Sequence, residues 1–375
     1  MACISKTLLV GGGIAGLACA IALARAGVQC DVVELNHTPT GAAIGITGRA
    51  ADALGELGVY DDCFAASSAF HRDSTAVSQM DAAGNLISAG PPRPDWPGSK
   101  VGMGIVRPVL LQVMADAAKQ LGVNIQIGVT IDVIDEQDDG ALVKFSDGSQ
   151  RRYDLVVGAD GLGSKVRSLV FPDAPKPAYS GQFSVRWMVQ GEPVGGEGWY
   201  ISPVGRLGFY NLPQGVTYIA AVFNIPQWKW MDYPEVHALF ASLLDSYTAP
   251  AIVELRSRLT ADADLIARPF EWLLVPQPWY SGRTLLVGDA AHATTAHLGM
   301  GGGMALEDAV VLGQCIAAAD ALPEALAAFV ERRYERVRTV VETSLTLSKL
   351  EQSGAPRTEA VGLMKNALLT ISAPY

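Results

Sequence analysis

Residues 8–16 read LLVGGGIAG, an apolar run that leads through three glycines into a segment of small and apolar side chains. The run predicts a buried strand, the glycines predict a tight turn, and residues 14–26 predict a buried helix that ends at Gly27. Residues 30–34 (CDVVE) predict a second strand. The segment therefore predicts a βαβ unit and, with it, a parallel sheet.

The three spaced glycines fit the GxGxxG pattern of a dinucleotide site. Gly11 permits the tight turn, Gly13 lets the backbone approach a pyrophosphate, and Gly16 lets the helix and strand pack closely. The phosphate would meet the helix N-terminus, where free N–H groups and the macrodipole favour negative charge. Glu34, at the end of the second strand, would bind the ribose hydroxyls. The predicted contacts of the dinucleotide are Gly11, Gly13, Ile14, Ala15, Gly16 and Glu34.

The bulk composition is that of an apolar enzyme with a large core. The 375 residues predict two closely packed domains and a terminal segment. Hydrophobic residues make up 49% and charged residues 18%, which is typical of an α/β enzyme. The net charge of −10 argues against a nucleic-acid surface, which needs clustered Lys and Arg. We expect small-molecule partners, no nucleic acid, and a monomer or homodimer.

The five cysteines show no Cys-x-x-Cys spacing, and an odd number is not typical of a disulfide framework. This pattern favours a reducing cytoplasm and predicts no metal site. The nearly uncharged segment 7–28 lacks the basic region of a signal peptide and contains the glycine cluster. It is therefore predicted to be a buried strand and helix, and we expect no integral membrane segment.

Two later segments indicate which dinucleotide is bound. Residues 158–167 read GADGLGSKVR, and residues 288–292 read GDAAH, followed by GMGGG at 299–303 and EDA at 307–309. Together with the first glycine motif, and in this order, they resemble the signatures of the class A flavoprotein monooxygenases, the family of para-hydroxybenzoate hydroxylase and salicylate hydroxylase. The resemblance covers nearly the whole chain.

This resemblance implies bound FAD, with NADH or NADPH and O2 as co-substrates. In the family's cycle the nicotinamide reduces FAD, oxygen adds at flavin C4a, and the hydroperoxide transfers its distal oxygen to an electron-rich ring. The expected activity is therefore a single-component hydroxylase of a small aromatic or N-heteroaromatic compound. Since no second GxGxxG unit is visible, NAD(P)H is expected to bind transiently across the flavin pocket.

The resemblance also assigns further cofactor contacts. Asp289 is expected at the ribityl and pyrophosphate part of FAD, Arg107 at the flavin nucleotide where a helix begins, and Asp160 on the path of both nucleotides. The turn at 299–303 would let the flavin ring lie on the backbone, and the helix expected from Met304 would stabilise negative charge on the reduced ring. The added residues are Arg107, Asp160, Asp289, Gly299, Gly301, Gly302 and Gly303.

The expected fold is α/β, with a Rossmann-like FAD-binding domain, an interleaved antiparallel-sheet substrate domain and C-terminal helices. Its predicted boundaries are 1–72, 98–176 and 272–322 for the FAD-binding domain, 73–97 and 177–271 for the substrate domain, and 323–375 for the helical segment. Charged residues in this last segment predict a solvated face: Glu331, Arg332, Arg333, Glu335, Arg336 and Arg338.

His297 is the candidate proton acceptor, because it lies between the GDAAH segment and the flavin-facing glycines. A purely structural role, in which it binds backbone groups, is the alternative. The family commonly has a proline just before this position, where this chain has Ala296, so the local geometry here differs. His292, inside GDAAH, is expected to be structural. Residues of the second domain with polar tips are the candidate substrate ligands: Arg186, Tyr200, Arg206, Tyr210 and Tyr218. Alternate residues of a strand face opposite ways, so only some can reach the pocket.

Two other functions remain open from the sequence. The same fold serves flavin-dependent dehydrogenases, reductases and halogenase-related enzymes, although the lysine motif of the halogenases is not identified here. A catalytically silent flavin-binding protein is the second alternative, because an intact cofactor site does not establish turnover.

Overall fold

The structure is a computed structural model that describes residues 2–38, 41–70, 78–89 and 94–375. In chain order the strands are β1 (Lys6–Val10), β2 (Gln29–Glu34), β3 (Ala43–Ile46), β4 (Ser68–Ala69), β5 (Ser78–Met80), β6 (Leu86–Ala89), β7 (Met103–Val106), β8 (Asn124–Ile127), β9 (Ile131–Gln137), β10 (Gly140–Phe145), β11 (Gln150–Tyr153), β12 (Leu155–Gly158), β13 (Ala178–Gln190), β14 (Gly198–Ile201), β15 (Arg206–Leu212), β16 (Val216–Asn224), β17 (Leu265–Trp272), β18 (Tyr280–Ser281) and β19 (Thr284–Leu286). The helices are α1 (Ile14–Arg25), α2 (Arg49–Glu56), α3 (Tyr60–Ala65), α4 (Arg107–Gln120), α5 (Lys165–Val170), α6 (Tyr233–Asp245), α7 (Pro250–Arg258), α8 (Gly301–Ala318), α9 (Leu322–Ser353) and α10 (Arg357–Thr370).

The first sheet is a six-stranded, mostly parallel sheet in the order β18-β19-β12-β1-β2-β8. Strand β1 pairs in parallel with both β2 and β12, and α1 contacts α4 and α8. Small residues make this layer close-packed: a Cβ at Gly313 of α8 would lie 3.0 Å from Ala22 Cβ of α1. The predicted βαβ unit and parallel sheet are confirmed.

The second large sheet has seven strands in the order β17-β13-β16-β15-β14-β5-β6. Its central strands pair in antiparallel fashion, while β14 pairs in parallel with β5. One face packs on α6 and α7, where Val185, Trp187 and Phe209 share a buried core with Phe240 and Ile252. The predicted antiparallel sheet between residues 179 and 225 is confirmed. Two three-stranded sheets, β11-β10-β9 and β3-β7-β4, complete the fold.

The C-terminal part is helical, as expected, but two details differ. Helix α8 begins at Gly301, three residues before its predicted start, so Gly301, Gly302 and Gly303 form its first turn instead of a preceding loop. Glycine is a weak helix former, but here the turn is held against other elements: a Cβ at Gly302 would lie 2.6 Å from Ile44 Cδ1.

The prediction of a solvated charged face in the C-terminal segment is wrong at two positions. Arg333 of α9 is fully buried, and Arg336 is nearly so, because both side chains form ion pairs with buried carboxylates of α8. Charge alone predicts exposure, and only the tertiary pairing of α8 with α9 reveals why these two arginines point inwards. Arg338 keeps the expected exposed position.

The sheets suggest how the chain divides into domains. Residues 78–89 and 178–272 build the seven-stranded sheet, and the parallel sheet takes its strands from either side of them in sequence. We therefore propose the discontinuous division into domains that the sequence predicts. None of the helices in the described ranges is long and apolar enough to cross a bilayer.

Candidate active site

A single cavity of about 1320 Å³ extends from the carboxyl ends of β1, β2 and β12 to one face of the seven-stranded sheet. Val10, Glu34 and Ala159 mark its first end, at the edge of the parallel sheet where open α/β folds bind nucleotides. The other end is lined by β13 to β16. The cavity therefore joins a site suited to a dinucleotide with one suited to a second ligand.

The turn after β1 leaves open space where a pyrophosphate is expected. Gly11 has φ +110°, and a Cβ there would lie 2.4 Å from the carbonyl oxygen of Ala159. A Cβ at Gly16 would lie only 1.8 Å from the carbonyl oxygen of Gly11, so Gly16 serves the packing of α1 on β1 and does not itself line the cavity. A Cβ at Gly13 would meet no atom of the described residues within 4 Å. Gly13 therefore faces the space that a ligand would fill.

Glu34 lies at the end of β2 on the wall of the cavity. Its carboxylate accepts hydrogen bonds from the backbone N–H of Gly12 and of Asn36, both at 2.7 Å. These bonds fix the carboxylate beside the glycine turn. Its remaining lone pairs can accept the ribose hydroxyls expected there.

Arg107 and Asp289 face the middle of the cavity. The Nε of Arg107, at the start of α4, is buried without a hydrogen-bond partner among the described residues, so it has a donor to offer to a ligand. The Asp289 side chain protrudes into the cavity and is accessible from it, although the group lies deep in the protein. This depth raises the pKa of the Asp289 carboxyl, against the opposing effects of His292 and Arg107.

Asp160 borders the cavity, but its carboxylate is already engaged. It accepts hydrogen bonds from Ser164 Oγ (2.5 Å) and from the backbone N–H of Lys165 (2.7 Å) and Val166 (3.1 Å). Asp160 therefore stabilises the loop before α5 by accepting these hydrogen bonds. A contact between Asp160 and the cofactor would be a second role.

A buried ion network fixes the loop that carries Asp289. Asp308 of α8 accepts hydrogen bonds from the Gly288 N–H (3.0 Å), from His292 Nε2 (2.7 Å) and from Arg333 Nε (2.8 Å). Burial by itself would raise the pKa of Asp308, but His292, Arg333 and the Gly288 N–H hold it at about 2. His292 is thus placed in the structural position expected of it.

The glycine-rich segment opens α8 onto the cavity. Gly299 has φ +65°, and Gly299, Gly301 and Gly302 line the cavity, whereas Gly303 packs towards Ala50. The first N–H groups of a helix lack partners within it, and no acidic side chain occupies the first turn of α8. This terminus can therefore stabilise negative charge on a ligand.

The far end of the cavity displays alternate residues of three neighbouring strands. They are Ser184 and Arg186 of β13, Arg206, Gly208 and Tyr210 of β15, and Tyr218, Ala220 and Val222 of β16. Of the five candidate substrate ligands, only Tyr200 lies elsewhere. Its ring stacks on Phe209 in the core, and its hydroxyl donates to the Gly196 carbonyl at 2.6 Å. The neighbouring residue on β14, Trp199, faces the cavity instead.

Arg186, Tyr210 and Tyr218 form a polar group with unused hydrogen-bonding capacity. The two rings pack edge to face with centroids 5.1 Å apart. Burial raises the pKa of both tyrosines, most strongly that of Tyr210, against the effect of Arg186. Their hydroxyls therefore stay protonated at neutral pH. Within the described part of the chain, none of the three side chains forms a hydrogen bond or ion pair.

His297 lies in the cavity wall between two polar neighbours. Its Nδ1 is 2.9 Å from Thr295 Oγ1, and its Nε2 is 3.3 Å from Glu351 Oε2. Glu351 also contacts Arg206, whose Nε lies 2.8 Å from Oε1 and whose guanidinium stacks over Trp199 at 4.4 Å. Burial lowers the pKa of His297, and Glu351 counteracts this effect. A neutral imidazole at neutral pH is able to accept a proton.

Sequence reasoning missed several residues of this site. Thr295 lines the cavity, Glu351 stands behind it, and four apolar residues of α10 close one side: Ala360, Val361, Met364 and Leu368. No local pattern pointed to Glu351 or to α10, because only the tertiary fold brings them here.

The model of the FAD binding domain family matches residues 5–189 and 258–344, which is well over half of the chain. This chain belongs to the FAD binding domain family. The open space at Gly13, the unused donor of Arg107 and the glycine cradle at the N-terminus of α8 fit that cofactor, so the expectation of bound FAD is confirmed for this FAD-dependent protein.

Named relatives place it among the monooxygenases. It is 31% identical over 359 residues to aurachin C monooxygenase/isomerase of Stigmatella aurantiaca, covering 92% of this chain and 89% of that protein. It is 30% identical to 3-amino-4-hydroxybenzoate 2-monooxygenase PtmB3 of Streptomyces platensis, covering 89% and 85%. The solved structure of Klebsiella pneumoniae HpxO with FAD and uric acid has the same fold, with a TM-score of 0.81 at 24% identity over 99% and 97% of the chains. The expected class, a single-component FAD-dependent aromatic monooxygenase using NAD(P)H and O2, is confirmed.

Proposed function

We propose that this monooxygenase hydroxylates a small aromatic or N-heteroaromatic compound carrying an anionic or strongly polar substituent, bound in the chamber between β13 to β16 and the N-terminus of α8. The observation that carries the proposal is the presence, in one cavity, of an FAD cradle and of a chamber lined by aromatic rings and by Arg186, which has no ion-pair partner in the described part of the chain. Bound FAD would supply electron transfer from NAD(P)H and the activation of O2.

The chain's own residues would bind, orient and deprotonate the substrate. Arg186 would hold the anionic substituent, and the neutral hydroxyls of Tyr210 and Tyr218 would donate hydrogen bonds to it. His297 would accept the proton of a ring hydroxyl or N–H, which makes the ring more electron-rich at the moment of attack. Arg206 would lie beside the ring as a cation already paired with Glu351. The name of the Streptomyces relative, an aminohydroxybenzoate monooxygenase, supports a substrate of this class.

Arg186→Met is expected to weaken binding of carboxylate-bearing rings by about tenfold or more, because it removes a charge-assisted hydrogen bond worth about 1.5–3 kcal/mol. The measurement is a titration of the FAD-loaded protein with hydroxybenzoates, aminobenzoates and hydroxylated N-heteroaromatics, followed by the change in flavin absorbance. The matched control is Arg268→Met on β17, whose side chain is exposed and lies outside the cavity. Equal affinities in all three proteins would refute the role of Arg186.

The proposal also includes the cellular location and the oligomeric state of the protein. The five cysteines are all free thiols, four of them buried, which supports a reducing cytoplasm as the location. A monomer or homodimer is proposed as the working state, and light scattering of the FAD-loaded protein tests it.

A further inference from the structure

Three ionisable side chains from distant parts of the chain meet behind the proposed substrate chamber. Arg206 comes from β15, His297 from the loop before α8, and Glu351 from the last turn of α9. Glu351 joins the other two, with Oε1 2.8 Å from Arg206 Nε and Oε2 3.3 Å from His297 Nε2. Arg206 and His297 line the cavity, whereas Glu351 does not. Glu351 can therefore act only through its neighbours.

The contacts of His297 decide where its proton lies. A carboxylate can only accept hydrogen bonds, so the ring nitrogen that faces Glu351 is the one that carries hydrogen in the neutral ring. The lone pair then lies on Nδ1, 2.9 Å from the hydroxyl oxygen of Thr295, which lines the cavity. Nε2 lies 3.3 Å from Glu351 Oε2 but makes no hydrogen bond of good geometry with any described residue, so it is the negative charge of the carboxylate that favours the hydrogen on Nε2.

We propose that Glu351 is a positioning residue for hydroxylation, which holds His297 as its Nε2–H tautomer and so aims the Nδ1 lone pair at Thr295. The substrate's O–H or N–H bond breaks, Thr295 Oγ takes that proton, and Thr295 passes its own hydroxyl proton to His297 Nδ1. The imidazolium that forms faces the carboxylate of Glu351. This inference rests on the proposed role of His297 as proton acceptor.

The surrounding charges agree with this arrangement. Burial is the largest effect on the pKa of His297 and lowers it, Glu351 of α9 raises it, and Arg206 of β15 lowers it. The ring of Phe270 on β17 packs against the imidazole without adding charge. Burial would raise the pKa of Glu351, but Arg206 and His297 bring it below its ordinary value, so Glu351 is ionised at neutral pH. Without its charge, the pKa of His297 would fall further.

The test is ¹⁵N NMR of histidine-labelled, FAD-loaded protein, because the nitrogen shifts report both tautomer and protonation without turnover. His297→Gln identifies the signal. In the wild type we expect the Nε2–H tautomer; in Glu351→Gln we expect that preference to be lost and the titration midpoint of His297 to fall. Glu351→Asp keeps the charge and is expected to retain the tautomer. The matched control is Glu342→Gln, an exposed carboxylate on the same helix whose one ion pair among the described residues is with Arg338; this variant should leave His297 unchanged.

Two results would overturn the inference: a wild-type His297 in the Nδ1–H form, or Glu351→Gln with wild-type tautomer and midpoint. The flavin content of each variant shows whether it is folded. If Glu351→Gln does not fold, the tautomer and titration midpoint of His297 in Glu351→Asp are compared with those of the wild type. Once a substrate is known, kcat of Glu351→Gln at neutral pH should fall about tenfold, with KM for NAD(P)H unchanged. The NMR measurement needs no turnover. If the protein is an active hydroxylase but the tautomer of His297 does not depend on Glu351, this inference is wrong and the proposed function stands. If none of the ring compounds is hydroxylated, the proposed function itself is wrong.

Discussion

Arg333→Met is expected to lower the free energy of unfolding by about 3–5 kcal/mol, because it removes the fully buried cation that Glu307 and Asp308 share, leaving Glu307 only Arg336 and Asp308 only His292 as ion-pair partners among the described residues. Arg333 donates to Glu307 Oε2 at 2.7 Å and to Asp308 Oδ1 at 2.8 Å, and all three side chains are fully buried. Methionine matches the length of the arginine stem but offers no donor. Urea unfolding followed by circular dichroism measures the loss.

The matched control for this variant is Arg338→Met, five residues along the same helix. Arg338 is exposed and pairs with Glu335 and Glu342 in the solvent, so its replacement should cost about 0–1 kcal/mol. Similar losses for the two variants would contradict the buried network. Because Asp308 also holds Gly288 and His292, Arg333→Met should additionally reduce the fraction of protein that retains FAD.

The same network gives the protein a specific acid sensitivity. The pKa of Asp308 is about 2 in the folded protein, below its ordinary value of 3.8 in an unfolded chain. A carboxyl with a depressed pKa stabilises the fold above its unfolded value, and this contribution is lost as the pH falls towards the folded value. We therefore expect Asp308 to stabilise the protein fully above about pH 4 and progressively less down to about pH 2.

Alanine substitutions at two glycines of the first turn should separate folding from cofactor binding. Gly13→Ala should leave the fold intact, since its φ of −78° suits alanine and, in the part of the chain that the structure describes, no atom lies within 4 Å of the new Cβ. It should weaken FAD binding by about tenfold or more, equivalent to about 1.4 kcal/mol, because the methyl group enters the space of the pyrophosphate. The loss of the glycine N-cap costs about 1 kcal/mol or less.

Gly16→Ala should behave differently, because its Cβ would lie 1.8 Å from the Gly11 carbonyl oxygen. The backbone must move there, so we expect loss of stability in both the FAD-free and the FAD-loaded protein. Gly195→Ala is the control and should change neither property, because the new Cβ would lie in a loop with no atom of the described ranges within 4 Å. The measurements are thermal unfolding and fluorescence titration with FAD after removal of the flavin. A Gly13→Ala variant that binds FAD like the wild type would place the pyrophosphate elsewhere.

Much of the fold was predictable because its signals are local. The strand, glycine turn and helix around Gly11 are specified by adjacent residues, and the parallel sheet follows from them. The period-2 rule also anticipated that only some candidates on the second sheet reach the cavity, and Tyr200 is the one that turns into the core.

The parts that could not be predicted depend on contacts between distant segments. Arg333 was expected in solvent because its neighbours in sequence are charged, and its buried partners lie 25 and 26 residues earlier. Glu351 lies 54 residues after His297, and no motif connects them. The start of α8 was misplaced because glycine disfavours helices, whereas packing against Ile44 and Ala50 stabilises that first turn.

The most direct test of the central claim is the fate of oxygen in a single assay. The FAD-loaded protein is mixed with NAD(P)H, ¹⁸O2 and each ring compound of the panel, and the products are analysed by mass spectrometry. We predict that at least one ring gains one ¹⁸O atom, with one NAD(P)H oxidised per product formed. If every ring is recovered unchanged while NAD(P)H is oxidised to yield only hydrogen peroxide, the protein is an oxidase or reductase on this fold and the assignment as an aromatic hydroxylase is wrong.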